Sequence, residues 1–243
     1  MREQSIWRPP PDLLKLGPKD VHIWRAVLEQ PPESVAQFRK LLSDDEISRA
    51  DRFHFERDRR HFTVARGVLR TLLSRYLLTA PEELRFSYSE YGKPSLESAS
   101  LKFNLAHSGG IALYAFTTVG EVGIDIEFMR PEFTGDDIAR RFFSATEVDA
   151  LNRLPETARQ QAFFDCWSRK EAFIKAKGLG LSLGLDQFDV TLTPDEPPAV
   201  LRTAWDEVEA SRWCLRAIEV GEQHAAAFAL SEHDWEASYW QFE

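Results

Sequence analysis

The stretch "WSRKEAFIKAKGLGLSL", Trp167 to Leu183, carries two signals that do not agree. Wound at about 100° per residue, Trp167 and Ile174 fall with the upstream Phe163 and Phe164 in one arc of about 100°, the width of a core-facing helical stripe. Glu171 falls inside that arc, Lys170 sits at its edge, and Lys175 flanks Glu171 four residues on. A Glu-to-Lys pair at i,i+4 on a helix surface contributes only ~0.2–0.5 kcal/mol, which does not explain a carboxylate set among aromatics. Such a group costs desolvation energy unless it is paired or binds a metal. Glu171 is therefore read as a metal ligand or a base. Gly178 is the expected C-cap, and the glycine-rich run after it reads as a flexible apolar arm.

Working outward, residues 57–78 show the same period at Phe62, Val64, Ala65, Val68, Leu69, Leu72, Leu73 and Tyr76. This predicts a second long amphipathic helix, ending before Pro81, with most arginines on its polar side. Each half of the chain then reads in the same order: a strand (21–28, 122–128), short helices, a long helix (57–78, 156–177), and antiparallel strands. Caps are expected at Ser34, Asp136 and Ser144. The pattern predicts an α+β fold of two similar lobes, residues 1–118 and 119–243, each a small mostly antiparallel sheet on a long helix.

Composition narrows the function. The chain has 243 residues and a formal net charge of -9, so it lacks the basic footprint that nucleic-acid binding needs. Yet between Arg49 and Arg75 eight arginines face only Asp51, Glu56 and Asp58, a local +5 suited to phosphate or simply to a solvated helix face. Cys166 and Cys214 are the only cysteines, so a reducing cytoplasm is expected. No run approaches the ~20 apolar residues of a membrane span.

In "VGIDIEF" the side chains alternate, which places Asp125 and Glu127 on one face, roughly 7 Å apart at the Cα level. Two carboxylates so close repel unless a cation lies between them, and Mg²⁺ is commonly held by one or two carboxylates plus substrate phosphates. A half-exposed strand with a polar outer face gives the same pattern. In "NLAHSGG", His107 ends a strand beside a turn whose N–H groups can face an anion.

Together, "FNLAHSG", "VGIDIE" and "WSRKEAFIKAKGLGLSL", with "EYGKP" upstream and "FFSATE" between, resemble the motif set of the large, surfactin-synthetase-activating class of 4′-phosphopantetheinyl transferases. The resemblance covers about residues 43 to 190. It implies a pseudo-twofold pair of lobes with coenzyme A in the cleft between them, and Mg²⁺-dependent transfer of phosphopantetheine to a serine of an apo acyl, peptidyl or polyketide carrier protein. Carried over, Asp125, Glu127 and Glu171 would hold Mg²⁺, Glu171 would take the serine proton, and Lys175 would neutralise phosphate charge. Arg49, Arg60, His61, Lys93 and His107 would contact the phosphates of coenzyme A. Glu46, His61 and Ala106 depart from the lysine, arginine and serine that relatives commonly carry. A monomer that binds neither nucleic acid nor membrane is expected. A metal-dependent phosphohydrolase of coenzyme A or a nucleotide, or a non-catalytic coenzyme A binder, would use similar residues.

Overall fold

The computed structural model describes residues 6–96, 100–130, 132, 135–194 and 196–243. The first lobe runs β1 (Asp20–Val27), α1 (Pro32–Lys40), α2 (Asp44–Asp51), α3 (Glu56–Leu77), the hairpin β2 (Phe86–Tyr88) and β3 (Pro94–Leu96), then β4 (Lys102–Ser108) and β5 (Ile111–Thr117). The second runs β6 (Val122–Phe128), α4 (Asp136–Phe142), α5 (Ala145–Arg153), α6 (Glu156–Lys177), β7 (Phe188–Val190), β8 (Val200–Thr203), β9 (Cys214–Ala217), β10 (His224–Leu230) and β11 (Glu236–Gln241). Both long helices have 22 residues, and each is preceded by two short helices, so the repeated order read from the sequence is present in three dimensions.

The sheets are ordered β11-β1-β5-β4 and β6-β10-β9. The second is antiparallel throughout. The first is antiparallel except at β11, which leaves the second lobe and pairs in parallel with β1, from Asp20 opposite Glu236 to Arg25 opposite Gln241. The lobes are thus tied by strand exchange as well as by packing. An apolar layer including Val21, Ile23, Leu113, Ala115, Val122, Ile124, Ile126 and Phe228 fills the space between the sheets.

The outward face of that layer decides where the chemistry sits. Because side chains alternate along β6, Val122, Ile124 and Ile126 enter the shared core while Gly123, Asp125 and Glu127 face α6. A Cβ at Gly123 would stand 2.0 Å from the Ala172 carbonyl oxygen and 2.3 Å from the Ala176 nitrogen, so glycine lets the strand rest on the helix backbone.

Some local expectations are corrected. α1 starts at Pro32 with Pro31 as its N-cap, which puts Ser34 inside the helix; a proline in the first turn has no N–H to satisfy and fixes a helical φ. Gly135, at φ 76°, caps α4 in place of Asp136. Ser144 does cap α5, accepting from the Glu147 N–H at 3.2 Å. Gly178 caps α6 at φ 72°, and its N–H donates to the Ile174 carbonyl at 2.9 Å. The run beyond it is no free arm: it forms short 3-10 turns at Gly180–Ser182 and Leu185–Gln187, with Leu185 buried.

α6 is also more deeply set than a one-sided stripe. Buried side chains surround it, from Phe163 and Phe173 to Arg169 and Lys170. Of the α3 arginines, Arg57, Arg59, Arg60 and Arg75 are exposed or half-buried, in keeping with a polar side that carries most of them, while Arg66 and Arg70 are buried. Both bind Glu46: Arg66 Nε donates at 2.7 Å and Arg70 Nε at 2.6 Å. Glu46 accepts these bonds because it closes the capping box of Ser43 at the start of α2, its carboxylate also accepting from the Ser43 N–H at 3.1 Å. The counterpart in the second lobe is the box of Ser144 and Glu147, whose carboxylate meets Lys170 of α6 at 2.8 Å.

Candidate active site

β4 and β6 lie side by side with no backbone ladder; side chains join them. The Ile124 N–H donates to Asn104 Oδ1 at 2.8 Å, and the Phe128 N–H donates to Ser108 Oγ at 3.0 Å. Four residues separate the contacts on each strand, so the strands run in one direction, with buried Ala106 between the two polar residues. Ser108 in turn donates to Glu127 at 3.5 Å. The "NLAHSGG" segment therefore holds one edge of the carboxylate strand.

Beyond this seam lies a cleft of about 810 Å³. Glu29, Phe53, Arg57, Asp58, His61 and the turn 107–110 line it from the first lobe; Glu127, Phe128, Arg130, Ile138, Phe163, Phe164 and Trp167 line it from the second. The turn needs glycine at 109, where φ is +57° and a Cβ would lie 2.7 Å from Phe128 and 2.8 Å from His224. His61 reaches Glu29 at 2.6 Å. The His107 ring is open to the cleft, yet its pKa lies below the usual value, chiefly because the surrounding walls desolvate it, with Lys175 and His61 adding positive charge.

One helical turn past Trp167, on the same side of α6, stands Glu171, and Lys175 follows one turn later. Lys175 Nζ lies 2.6 Å from Asp125 Oδ1. Burial pushes the Asp125 carboxyl up against the pull of Lys175. Glu171 is raised by burial and then by Asp125. Glu127 is raised to about 7 by burial, with Asp125 and Glu171 adding to it. Burial alone would lower the Lys175 pKa, but Asp125, Glu171 and Glu127 outweigh it and keep the ammonium charged.

Asp125, Glu127, Glu171 and Lys175 therefore form one interacting group, contributed by β6 and α6. No three His, Cys, Asp or Glu side chains among the described residues stand as a ready-made cage for a metal. The donor set nevertheless suits a hard cation: all its oxygens are carboxylate, and Asp125 Oδ2 is buried without a partner. An unpartnered buried carboxylate oxygen is costly, on the order of 1–3 kcal/mol or more; a cation there would remove that cost.

The Glu127 shift has a measurable consequence. Between its ordinary 4.5 and about 7 the folded protein retains a proton that the unfolded chain has released. Stability then falls as pH rises through that window. The melting temperature of metal-free protein should decline from about pH 5 to about pH 7.5, and Glu127→Gln should flatten that decline. An equal slope in the variant would contradict the assignment.

Other candidate residues lie differently. Arg49 is exposed, its guanidinium 5.4 Å from the centre of the Phe62 ring. Arg60 donates to the Gln30 carbonyl at 2.7 Å. Lys93, in the β2–β3 hairpin, is turned away from the cleft: its ammonium donates to the carbonyls of Ala176 at 3.0 Å and Val122 at 3.3 Å. It thus joins the first lobe to the end of α6 and the start of β6. The sequence reading missed two cleft cations, Arg57 and Arg130. Arg57 was visible as one of the arginine run, whereas nothing local marked Arg130.

Two α+β lobes thus meet around a cleft lined by aromatic rings and by charges of both signs, with an acidic cluster on the second lobe, and the comparisons with known proteins give this arrangement its class. The profile described as "4'-phosphopantetheinyl transferase superfamily" matches residues 121–229, and "4'-phosphopantetheinyl transferase, N-terminal" matches residues 26–118. The 4'-phosphopantetheinyl transferase HetI of Nostoc sp. (strain PCC 7120 / SAG 25.82 / UTEX 2576) is 37% identical over 243 residues, covering 98% of this chain and 99% of its own. The 4'-phosphopantetheinyl transferase Sfp of Bacillus subtilis (strain 168) is 35% identical over 164 residues, 67% of this chain and 72% of its own. A human relative, L-aminoadipate-semialdehyde dehydrogenase-phosphopantetheinyl transferase, is 28% identical over 214 residues, 80% of this chain and 69% of its own. The chain belongs to the 4′-phosphopantetheinyl transferase superfamily, in its two-lobed form. No helix among the described residues is long and apolar enough to cross a membrane.

Proposed function

We propose that the protein transfers the 4′-phosphopantetheine group of coenzyme A to a serine of an apo carrier protein, using Mg²⁺ held by Asp125, Glu127 and Glu171. The observation that carries the site assignment is the meeting of two β6 carboxylates with Glu171 and Lys175 of α6 beside a cleft that joins both lobes. When bound there, the cation would hold the diphosphate oxygens and offset the charge that develops on them.

The chain's own residues do the rest. His107 and Lys175 oppose the negative charge of the phosphates. Glu171 accepts the proton of the attacking serine hydroxyl, directly or through a water. The serine O–P bond forms as the diphosphate P–O bond breaks, and adenosine 3′,5′-bisphosphate leaves. Arg49, Arg60 and His61 are the first-lobe candidates for the remaining phosphate, with Arg57 and Arg130 added by their place in the cleft. The aromatic wall of Phe163, Phe164 and Trp167 offers an apolar surface to the rest of coenzyme A.

Lys93 was also a candidate for phosphate contact. Its carbonyl partners instead favour a structural clamp, and the two roles separate on measurement. Lys93→Met should cost about 1–3 kcal/mol of stability while the KM for coenzyme A stays within about twofold. A KM rise of tenfold at unchanged stability would return it to the phosphates.

The transfer itself is tested by incubating the protein with coenzyme A, Mg²⁺ and apo acyl, peptidyl or polyketide carriers. A phosphopantetheine mass gain on the carrier is expected; product without any acceptor would favour hydrolysis, and tight coenzyme A binding without turnover a mere binder. The relatives lend support to neither alternative. The same reading takes the protein as a cytoplasmic monomer, since two lobes of one chain complete the cleft and Cys166 and Cys214 are free thiols. Gel filtration at twice the chain mass would overturn the monomer.

A further inference from the structure

We infer that Lys175 is the resident cation of the carboxylate cluster, and that a divalent cation is taken up by exchange with it, which makes cation and coenzyme A bind cooperatively. This rests on the metal reading above and extends it.

The geometry sets the competition. Lys175 Nζ is 2.6 Å from Asp125 Oδ1, and the Asp125 side chain is only 5% exposed, so the ammonium lies against the inward end of the cluster. Asp125 and Glu127 face it from β6, Glu171 from its own helix, and His107 from β4. The cluster thus carries three carboxylates, one ammonium and, in Asp125 Oδ2, a buried carboxylate oxygen without a partner. A divalent cation bound through Asp125 would lie next to that ammonium, and two cations on one carboxylate repel. Asp125 Oδ2 can take the metal, but with Lys175 still on Oδ1 the two cations would share one carboxylate, so metal uptake favours release of Lys175.

Its side chain is 29% exposed at the edge of the helix, and a four-carbon stem lets the charge move without moving the backbone. Once it leaves Asp125 it has no anion to itself in the free protein. Glu171 and Glu127, the remaining neighbours, are wanted by the same metal. The diphosphate of coenzyme A supplies the missing partner. With substrate present, Lys175 exchanges a carboxylate for a phosphate; without it, metal uptake strands an ammonium in a partly buried place. Metal binding is therefore weak in the free protein and strengthened by coenzyme A, and coenzyme A binding gains by the same factor from the metal.

The test is calorimetric and needs no turnover. Mn²⁺ is titrated into the full chain with and without saturating coenzyme A, no carrier being present, and coenzyme A alone is titrated to subtract its own Mn²⁺ binding. In the wild type, coenzyme A should lower the Mn²⁺ Kd about 5- to 150-fold. Lys175→Met should bind Mn²⁺ alone at least about tenfold more tightly than the wild type, and coenzyme A should then lower its Kd by a clearly smaller factor than in the wild type, the remainder being what the diphosphate contributes as a metal ligand. Lys175→Arg, which keeps the charge, should stay weak in the absence of substrate. Equal Mn²⁺ affinity of wild type with and without coenzyme A would overturn the exchange, as would unchanged or weaker Mn²⁺ binding by Lys175→Met. If Lys175→Met does not melt cooperatively, Lys175→Gln, which removes the charge and keeps a polar head, takes its place with the same expected outcomes. No Mn²⁺ binding by the wild type in either condition would instead remove the metal reading beneath the inference.

Discussion

Asp125→Asn is expected to slow carrier modification by about 10²–10³, and Glu171→Gln by about 10²–10⁴, with both variants folded. The amides keep volume and shape and remove only charge. In Asp125→Asn the loss falls on the residue whose second oxygen is buried with no partner and whose first oxygen holds Lys175. An amide there is a poor ligand for a hard cation and a weak partner for an ammonium. Glu171→Gln removes the proposed proton acceptor while leaving the two strand carboxylates in place. The readout is the rate of phosphopantetheine mass gain on an apo carrier, at saturating coenzyme A and Mg²⁺.

Stability should move the other way in the second variant. Burial and the charge of Asp125 raise the Glu171 pKa, so near neutrality its ionised form is disfavoured by the fold. Glutamine relieves that, and the metal-free variant should melt at or above the wild-type temperature while transfer collapses. Crowded like charges are kept at a site for what they do with a ligand, at the expense of stability. A variant that lost both fold and activity would show only that the residue is structural, and full turnover in either would end the catalytic assignment.

The parts legible in the sequence are those with a local period. α3 and α6 follow from apolar residues three and four apart, and β6 from strict alternation, so both the scaffold and the direction of Asp125, Glu127 and Glu171 could be read in one dimension. Glu171 was found by a misfit: a carboxylate where the helix should be apolar. The same misfit flagged Lys170, but its partner Glu147 sits in another helix, and no pattern along one segment reveals a pair made by packing. Glu46 failed for that reason too. It reads in the sequence only as a departure from the lysine that relatives commonly carry, when it is the carboxylate that Arg66 and Arg70 bind. The parallel pairing of β11 with β1 joins the two ends of the chain, and alternation within either strand cannot tell which neighbour it takes.

Lys170 gives the largest expected change in stability. Its side chain is fully buried and donates to the carbonyls of Leu185 at 2.7 Å and Phe188 at 2.5 Å, besides pairing with Glu147 at 2.8 Å. Glu147 is held in turn by the Ser144 N–H at 3.0 Å and the Val190 N–H at 2.9 Å. One lysine therefore joins α6 to the start of α5 and to β7. Lys170→Met fills the volume but leaves a carboxylate and two carbonyls buried without that donor. Breaking a buried pair in this way costs about 3–5 kcal/mol, a fall in melting temperature of roughly 6–20 °C for a chain of this size. Urea denaturation should show the same loss with m unchanged. Adding Glu147→Gln to Lys170→Met should recover part of it, because the amide keeps an oxygen for the backbone N–H groups and no longer leaves a charge alone; a double variant as unstable as the sum of the singles would mean the two groups are not coupled. The pair is thus a device of the fold beside the chemistry: Lys170 fixes one side of the helix whose next residue, Glu171, interacts with Asp125.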